Sequence, residues 1–202
     1  YNEANTFFFF FYAAHFVALF STKIFGQNDF ALRLPFILFH LFSIIVLYNI
    51  GKEFLKKKLD RVLFVSIYAF ISGVNSVALL VNNGSIVIFL TLLFVYLYMY
   101  HYKKASYAIL ILALFIDNSF TILYMALFCY AIFNRKTDML VLTLVLFGLS
   151  MYFYGFDTGG KPKGYFVDAL GVYAIVFSPL LFLYFVYAMY RILIKEEKNI
   201  LW

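Results

Sequence analysis

Long apolar runs separated by short polar connectors dominate the sequence. They cover residues 7–20, 34–50, 62–81, 86–102, 107–133, 139–156 and 166–190. A helix crosses the hydrocarbon core of a bilayer with roughly 20 mostly apolar residues, and most of the runs approach that length. The first run has 14 residues and contains five consecutive Phe, which favours an aromatic helix at the membrane interface over a full crossing.

The run at 107–133 is too long for one straight crossing. Its 27 residues would form a helix of about 40 Å against a hydrocarbon core of about 30 Å. Asp117, Asn118 and Ser119 interrupt it near the middle, so one tilted helix and a tight hairpin both fit the pattern. A hairpin keeps Asp117 away from the bilayer centre, where a charged side chain costs roughly 2.5–3.5 kcal/mol.

The distribution of basic residues favours the hairpin. With a hairpin, one membrane face carries 12 of the 16 Lys and Arg residues and the opposite face keeps Lys23, Arg33, Lys161 and Lys163. A single span would divide them nine against seven. Because cytoplasmic loops are enriched in Lys and Arg, the larger group is expected in the cytoplasm together with the carboxyl end.

The pattern therefore predicts an all-α polytopic membrane protein, with about seven transmembrane helices following the N-terminal interfacial aromatic helix. A single transmembrane domain is expected over 1–202, with an outer juxtamembrane segment at 1–33, a helix bundle at 34–190 and a cytoplasmic tail or connector at 191–202. The expected location is the cell inner (plasma) membrane. Because the sequence opens on Tyr1 and ends just after a charged stretch, we expect a segment of a longer polypeptide.

Composition excludes a soluble domain of this size. The chain is 65% hydrophobic and 13% charged, whereas soluble chains carry about 25% charged residues. The net charge of +6 is explained by loop orientation, so nucleic acid is not an expected partner. The single Cys129 excludes a disulfide framework and a cysteine metal site, and three scattered His residues predict no metal site.

The predicted topology gathers ionisable residues on the outer face. The acids are Glu3, Asp29, Asp117, Asp157 and Asp168, and they accompany the four outer cations. Ionisable residues near the membrane are candidates for function, although solvated, salt-bridged loops explain each one separately. Arg33 stands at the water boundary, where an arginine either snorkels to headgroups or binds a phosphate. Lys161 and Lys163 belong to a glycine-containing loop that a ligand can approach, and a plain flexible turn explains that loop equally well.

This arrangement resembles the polyprenyl-phosphate-dependent membrane glycosyltransferases of the GT-C fold, the group that includes the aminoarabinose transferase of lipid A and the protein O-mannosyltransferases. Asn2-Glu3-Ala4 is similar to an acidic motif of that family. The aromatic segment after it is similar to the family's juxtamembrane helices, and Gly26 to Pro35, with its Ala-Arg-Leu-Pro sequence, is similar to the start of the second helix.

The resemblance implies transfer of a sugar from a polyprenyl-phosphate carrier to a lipid, glycan or protein acceptor outside the cytoplasm, as in modification of lipid A or cell-envelope glycans. Glu3 would be the general base. Arg33, which lies in a family motif, would stabilise the leaving phosphate together with Lys161 and Lys163. No cofactor is assigned, and a divalent cation stays open. The sugar donor, membrane lipids and other membrane subunits are the expected partners.

Departures from the family pattern keep a second hypothesis open. Asn2 stands where an Asp is usual, Asn82-Asn83 stand where members commonly have an Asp, and Asp117 lies at a hairpin tip where members often carry a basic residue. A catalytically inactive scaffold or lipid-binding subunit on the same fold fits these changes. A transporter or flippase would need polar residues along a path through the bilayer midplane, and the predicted spans carry few of them.

Overall fold

The computed structural model of the chain describes residues 13–154, together with Leu183, Tyr184 and Tyr187. Residues 13–154 are helical throughout apart from short connectors, and this part of the chain has no strand. The helices are α1 (Ala13–Phe25), α2 (Asp29–Phe54), α3 (Lys58–Phe70), α4 (Ser72–Leu79), α5 (Gly84–Met99), α6 (Lys103–Leu114), α7 (Phe120–Phe133) and α8 (Thr137–Tyr154). The all-α prediction is confirmed for the residues that the structure describes.

Among the described residues, two helices, α2 and α8, are long and apolar enough to cross a membrane. The predicted span at 62–81 is instead divided at Ile71 into α3 and α4, which meet at an angle of 61° and together give a third candidate. At 1.5 Å per residue, α5, α6 and α7 are about 24, 18 and 21 Å long, shorter than a hydrocarbon core. The expected number of about seven transmembrane helices is therefore not confirmed, and the run at 166–190 lies almost entirely outside the described residues.

The long run at 107–133 forms two helices that turn back on one another. The chain leaves α6 at Leu114 and begins α7 at Phe120. The Tyr124 hydroxyl in α7 donates to the Leu110 carbonyl of α6 at 2.9 Å. After α7 ends, Lys136 Nζ lies 2.6 Å from the Tyr98 hydroxyl, so the chain has returned to the end of α5 from which α6 departs. The hairpin prediction is confirmed.

The helices share two ends, which we name after residues in their connectors. The α4–α5 and α6–α7 connectors and the start of α2 form the Asp117 end, whereas the α2–α3, α5–α6 and α7–α8 connectors form the Lys136 end. In the described part of the chain the Asp117 end carries two basic residues, Lys23 and Arg33. The Lys136 end carries nine, namely Lys52, Lys56, Lys57, Lys58, Arg61, Lys103, Lys104, Arg135 and Lys136.

A single lysine joins three helices at the Lys136 end. Lys136 Nζ donates to the hydroxyls of Tyr98 in α5 and Tyr130 in α7, at 2.6 and 3.2 Å, and lies about 5 Å from both ring centroids. The hydrogen bond to Tyr98, followed by that to Tyr130, raises the pKa of the Lys136 ammonium group. These contacts hold the charged form in place where α8 begins.

The aromatic segment at the start of the chain continues further than predicted. The sequence pattern ended it at Phe20, before Ser21, Thr22 and Lys23, but α1 runs to Phe25. These polar residues are accommodated because the Thr22 hydroxyl donates to the Leu19 carbonyl of its own helix and the Ser21 hydroxyl bonds the next helix. Residues 7–12 of the predicted segment lie outside the described residues.

Ser21 also compensates for a proline in α2. The helix begins at Asp29, where the Asn28 side chain accepts from Ala31 N at 2.7 Å, so Pro35 falls in the second turn. Pro35 has no N–H to offer the carbonyl four residues back, which belongs to Ala31. The Ser21 hydroxyl donates to that carbonyl at 2.5 Å, and Ser21 and Ala31 are both buried. The bond between α1 and α2 therefore replaces the missing bond within α2.

The opposite ends of the bundle should lie on opposite sides of the membrane. In a Cys129→Ser background, which removes the exposed native thiol, we expect Ser119→Cys to react with a membrane-impermeant maleimide in right-side-out vesicles and Asn134→Cys to react only after permeabilisation. Both positions are exposed. Labelling of Asn134→Cys alone would reverse the orientation, and equal labelling of both would contradict the placement of the two connectors on opposite faces.

The replacement of the hydrogen bond that Pro35 cannot make by the one from Ser21 can be measured as a double-mutant cycle. Ser21→Ala should lower the free energy of unfolding by about 1–3 kcal/mol, because it leaves the buried Ala31 carbonyl without a partner. Adding Pro35→Ala should recover most of this loss, because residue 35 then has an N–H to donate. Reversible unfolding in mixed detergent micelles measures both, with Thr22→Ala as the matched control. Strictly additive effects of the two substitutions would contradict the proposed replacement of one hydrogen bond by the other.

Candidate functional site

An open cleft of about 480 Å³ lies at the Asp117 end. Its wall is largely apolar and comes from α1, α4 and α5, while its polar groups come mainly from the two connectors. The residues lining it are Ala14, His15, Val77, Val81, Asn82, Asn83, Gly84, Val87, Ile88, Asp117 and Ser119. The cleft thus combines a surface suited to a hydrocarbon or sugar-ring face with a polar edge, which is the usual composition of a small-molecule site.

The side chain of Asn83 organises this polar edge. Its Oδ1 accepts from Ala14 N at 2.9 Å. Its Nδ2 donates to the Ile116 carbonyl at 3.2 Å and to Asp117 Oδ2 at 3.0 Å. One amide therefore joins α1, the α4–α5 connector and the α6–α7 connector. We call these three bonds the Asn83 network.

Asp117 presents a carboxylate whose orientation is fixed. One oxygen accepts from Asn83 Nδ2 and the other accepts from the backbone N–H of Ser119 at 2.8 Å. The side chain is half-buried. A carboxylate offers about four acceptor sites, so each oxygen can still accept a hydrogen bond from a molecule in the cleft. A further hydroxyl or ammonium group is the type of ligand that this arrangement favours.

The connector beside Asp117 is tightly packed. Asn82 Oδ1 accepts from Gly84 N at 2.9 Å, and the Ser85 hydroxyl donates to the Val77 carbonyl at 3.1 Å. A Cβ added at Gly84 would lie 2.5 Å from Val77 Cγ1, so the close approach of the two chain segments requires glycine. The connector therefore holds Asn82 and Asn83 at a fixed position on the edge of the cleft.

Of the other predicted site residues, the structure describes Asp29 and Arg33. Asp29 lies in the first turn of α2 and Arg33 in the second; both are exposed, and neither makes a hydrogen bond or ion pair with the residues that the structure describes. The remaining predicted residues, Glu3, Asp157, Lys161, Lys163 and Asp168, lie outside the described residues.

Helix α1 connects the region of Arg33 to the cleft. It bonds Asn83 through Ala14 and bonds Ala31 through Ser21. Ala14 and Ser21 are seven positions apart, which corresponds to about 10 Å along the helix axis. The structure therefore places Arg33 and Asp117 at the same end of the bundle without direct contact between them.

Sequence reasoning missed the Asn83 network and the contribution of His15 to the cleft. Asn82-Asn83 were read only as amides in the place of a carboxylate. The signal that pointed to them was their position between two apolar runs, where a polar pair caps or bridges connectors. Among the described residues, no three His, Cys, Asp or Glu side chains come together as a metal site.

The comparison with known families covers most of the described chain. Residues 12–153, which are 142 of the 202 residues, match the family described as dolichyl-phosphate-mannose-protein mannosyltransferase. The matched segment includes Arg33, Asn83 and Asp117, begins after Glu3 and ends before Lys161. No curated protein and no solved structure matches the chain. Because the family match covers more than half of the sequence, the chain belongs to the dolichyl-phosphate-mannose-protein mannosyltransferase family, whose members are membrane glycosyltransferases of the GT-C type.

Proposed function

We propose that the protein transfers a sugar from a polyprenyl-phosphate carrier to a lipid, glycan or protein acceptor at the Asp117 end of the bundle. The observation that carries the proposal is the cleft, where a carboxylate of fixed orientation meets an apolar wall inside the segment that matches the family. The excess of basic residues at the Lys136 end supports a cytoplasmic Lys136 end and an extracytoplasmic site. The membrane would then be the cell inner (plasma) membrane.

The donor phosphate is assigned to the cations of the Asp117 end. A guanidinium group binds phosphate oxygens through two parallel hydrogen bonds, and Arg33 has no competing partner among the described residues. Lys161 and Lys163 are proposed to share this role. Asp117 is negatively charged and would repel a phosphate, so we assign it instead to a hydroxyl group of the sugar or of the acceptor.

Glu3 is the proposed general base. The carboxylate takes the proton of an acceptor hydroxyl as its oxygen attacks the anomeric carbon of the sugar. The bond from that carbon to the phosphate oxygen breaks, and its electron pair leaves with the polyprenyl phosphate. The negative charge that develops on the leaving oxygen is the charge that Arg33, Lys161 and Lys163 stabilise. No proton or electron beyond these is required.

A second candidate function is a non-catalytic, lipid-binding subunit on the same fold. The observation that favours it is the engagement of Asn83, whose amide stands where the family resemblance implies a carboxylate and which is held in three hydrogen bonds. An amide cannot act as a base, so this position has a structural role here. The substitution of Glu3 separates this function from catalysis.

The catalytic assignment can be tested without knowing the sugar. In cells that lack the gene, the sugar-charged polyprenyl phosphate should accumulate because its consumption is blocked, and lipid mass spectrometry measures this species. Wild-type protein should remove the accumulation and Glu3→Gln should not. Glu53→Gln, the same substitution at the Lys136 end of α2, is the control and should behave as the wild type.

Two outcomes would contradict this proposal. Full activity of Glu3→Gln would overturn the role of Glu3 as the base, and it would favour the non-catalytic subunit if wild-type and variant proteins also fail to transfer sugar in purified form. An unchanged level of every charged polyprenyl phosphate between deleted and complemented cells would overturn the lipid-phosphate donor. Equal membrane levels of all variants, measured by immunoblot, exclude a difference in expression.

The role of Arg33 predicts a defect in donor use. With the accumulated donor purified from the deleted cells as substrate, Arg33→Ala should lower kcat/KM by roughly 10- to 100-fold, the usual cost of losing one hydrogen bond to a charged group. Arg33→Lys should fall between Ala and wild type because it keeps the charge without the planar fork. Arg61→Ala, at the Lys136 end, is the matched control. Equal kinetics for Arg33→Ala and wild type would remove Arg33 from the site.

A further inference from the structure

We propose that Asn83 is a positioning residue of the transferase: its amide holds the carboxylate of Asp117 at a fixed place relative to α1, which forms part of the cleft wall. The inference rests on the proposed function and adds to it the device that aligns two parts of the site. It is carried by three hydrogen bonds from one side chain to two other chain segments.

The first step of the argument is the bond to α1. The backbone N–H of Ala14 in α1 donates to Asn83 Oδ1 at 2.9 Å, although the two residues are 69 positions apart in the chain. Ala14 is buried and also lines the cleft. Asn83 therefore ties the α4–α5 connector to a fixed point on α1.

The second step is the bond to the α6–α7 connector. Asn83 donates both Nδ2 hydrogens, one to the Ile116 carbonyl and one to Asp117. A carboxylate at position 83 could still accept from Ala14, but it could donate neither bond. Position 83 therefore requires a group that accepts on one side and donates on the other, and an amide meets both requirements at neutral pH.

The third step is the charge at this point of the cleft. Among the described residues, Asp117 receives hydrogen bonds from an amide and a backbone N–H and forms no ion pair. His15, from α1, also lines the cleft. A second carboxylate at position 83 would stand about 3 Å from the first. Two carboxylates at this separation cannot both ionise easily, so one of the two pKa values rises.

The test compares Asn83→Asp with Asn82→Asp in lipid nanodiscs. Both add one negative charge to the same connector, but Asn82 only accepts, from Gly84 N, and Asp can accept that bond equally well. With the purified donor, Asn83→Asp at pH 7.5 should lower kcat by roughly 10- to 100-fold, as expected for a reacting group displaced by about 1 Å. The KM for the donor should change little, and the melting temperature of Asn82→Asp should stay near that of the wild type.

The pH dependence of kcat and melting temperature distinguishes loss of the Asn83 network from a general loss of structure. The carboxyl pair in Asn83→Asp has a raised pKa in the folded state, so the stabilising shared proton is present below that pKa and is lost as the pH rises through it. Both kcat and the melting temperature of Asn83→Asp, relative to wild type, should therefore recover between pH 7.5 and pH 5.5. The melting temperature of Asn82→Asp should show no such recovery.

A second variant keeps the test valid if Asn83→Asp folds poorly. Asn83→Asp with Asp117→Asn reverses the polarity of the pair, because the amide now donates from position 117. Its melting temperature should exceed that of Asn83→Asp at pH 7.5 and should lose the pH dependence.

Each remaining outcome has a definite meaning. Identical melting temperatures and pH profiles for Asn83→Asp and Asn82→Asp would overturn the Asn83 network. A pH-dependent melting temperature with unchanged kcat would leave the network but overturn the positioning role. Absence of transfer by the wild-type protein would overturn the proposed function and the positioning role together, while the melting temperatures would still report on the network.

Discussion

Inside a bilayer, each buried polar group has to find its partner within the protein, because lipid offers none. This constraint explains how the short helices of the chain are joined. The carbonyl that Pro35 leaves free in α2 is bound by Ser21 of α1. The carbonyl at the end of α6, on Leu114, is bound by the hydroxyl of Tyr154 in α8 at 2.9 Å. In both places a helix satisfies a defect in its neighbour, so the polar bonds also determine which helices pack together.

The same principle explains the exposed apolar surface. Many large apolar side chains are largely exposed, among them Phe16, Leu19 and Phe20 of α1 at 61–63% exposure. The face of α1 that does pack is built from small residues, Ala14 and Ala18, which let the helix approach the bundle closely. In water such a surface would be unstable, whereas in contact with lipid it costs nothing. Association of these helices therefore depends on close packing and hydrogen bonds more than on the hydrophobic effect.

The sequence alone predicted the features that depend on how composition varies along the chain. The helix class, the connectors and the hairpin at Asp117 follow from apolar length and from the position of Lys and Arg, since both are local properties. The bend at Ile71 was not predicted. The predicted end of α1 was too early, because the length of this helix depends on the partners that Ser21 and Thr22 find. From the sequence alone, Ser21 predicted the end of a helix, because its partner in α2 is not visible there. Asn83 was interpreted only as the loss of a carboxylate for the same reason: its three partners are 33 to 69 positions away in the chain.

The pairing of Asn83 with Asp117 changes what the cleft can hold. The family resemblance implies a carboxylate after the third helix and a basic residue at the hairpin tip, a combination with no net charge. Here an amide and a carboxylate occupy these positions 3.0 Å apart, so the pair carries one negative charge. Residue 83 donates the hydrogen bond and residue 117 accepts it, whereas a carboxylate beside a basic residue would accept at position 83. A phosphate is disfavoured beside such a pair, whereas hydroxyl or ammonium groups are favoured. Arg33, the described cation proposed for the donor phosphate, lies in α2, and α1, bonded both to Ala31 of α2 and to Asn83, is the element that links the two places.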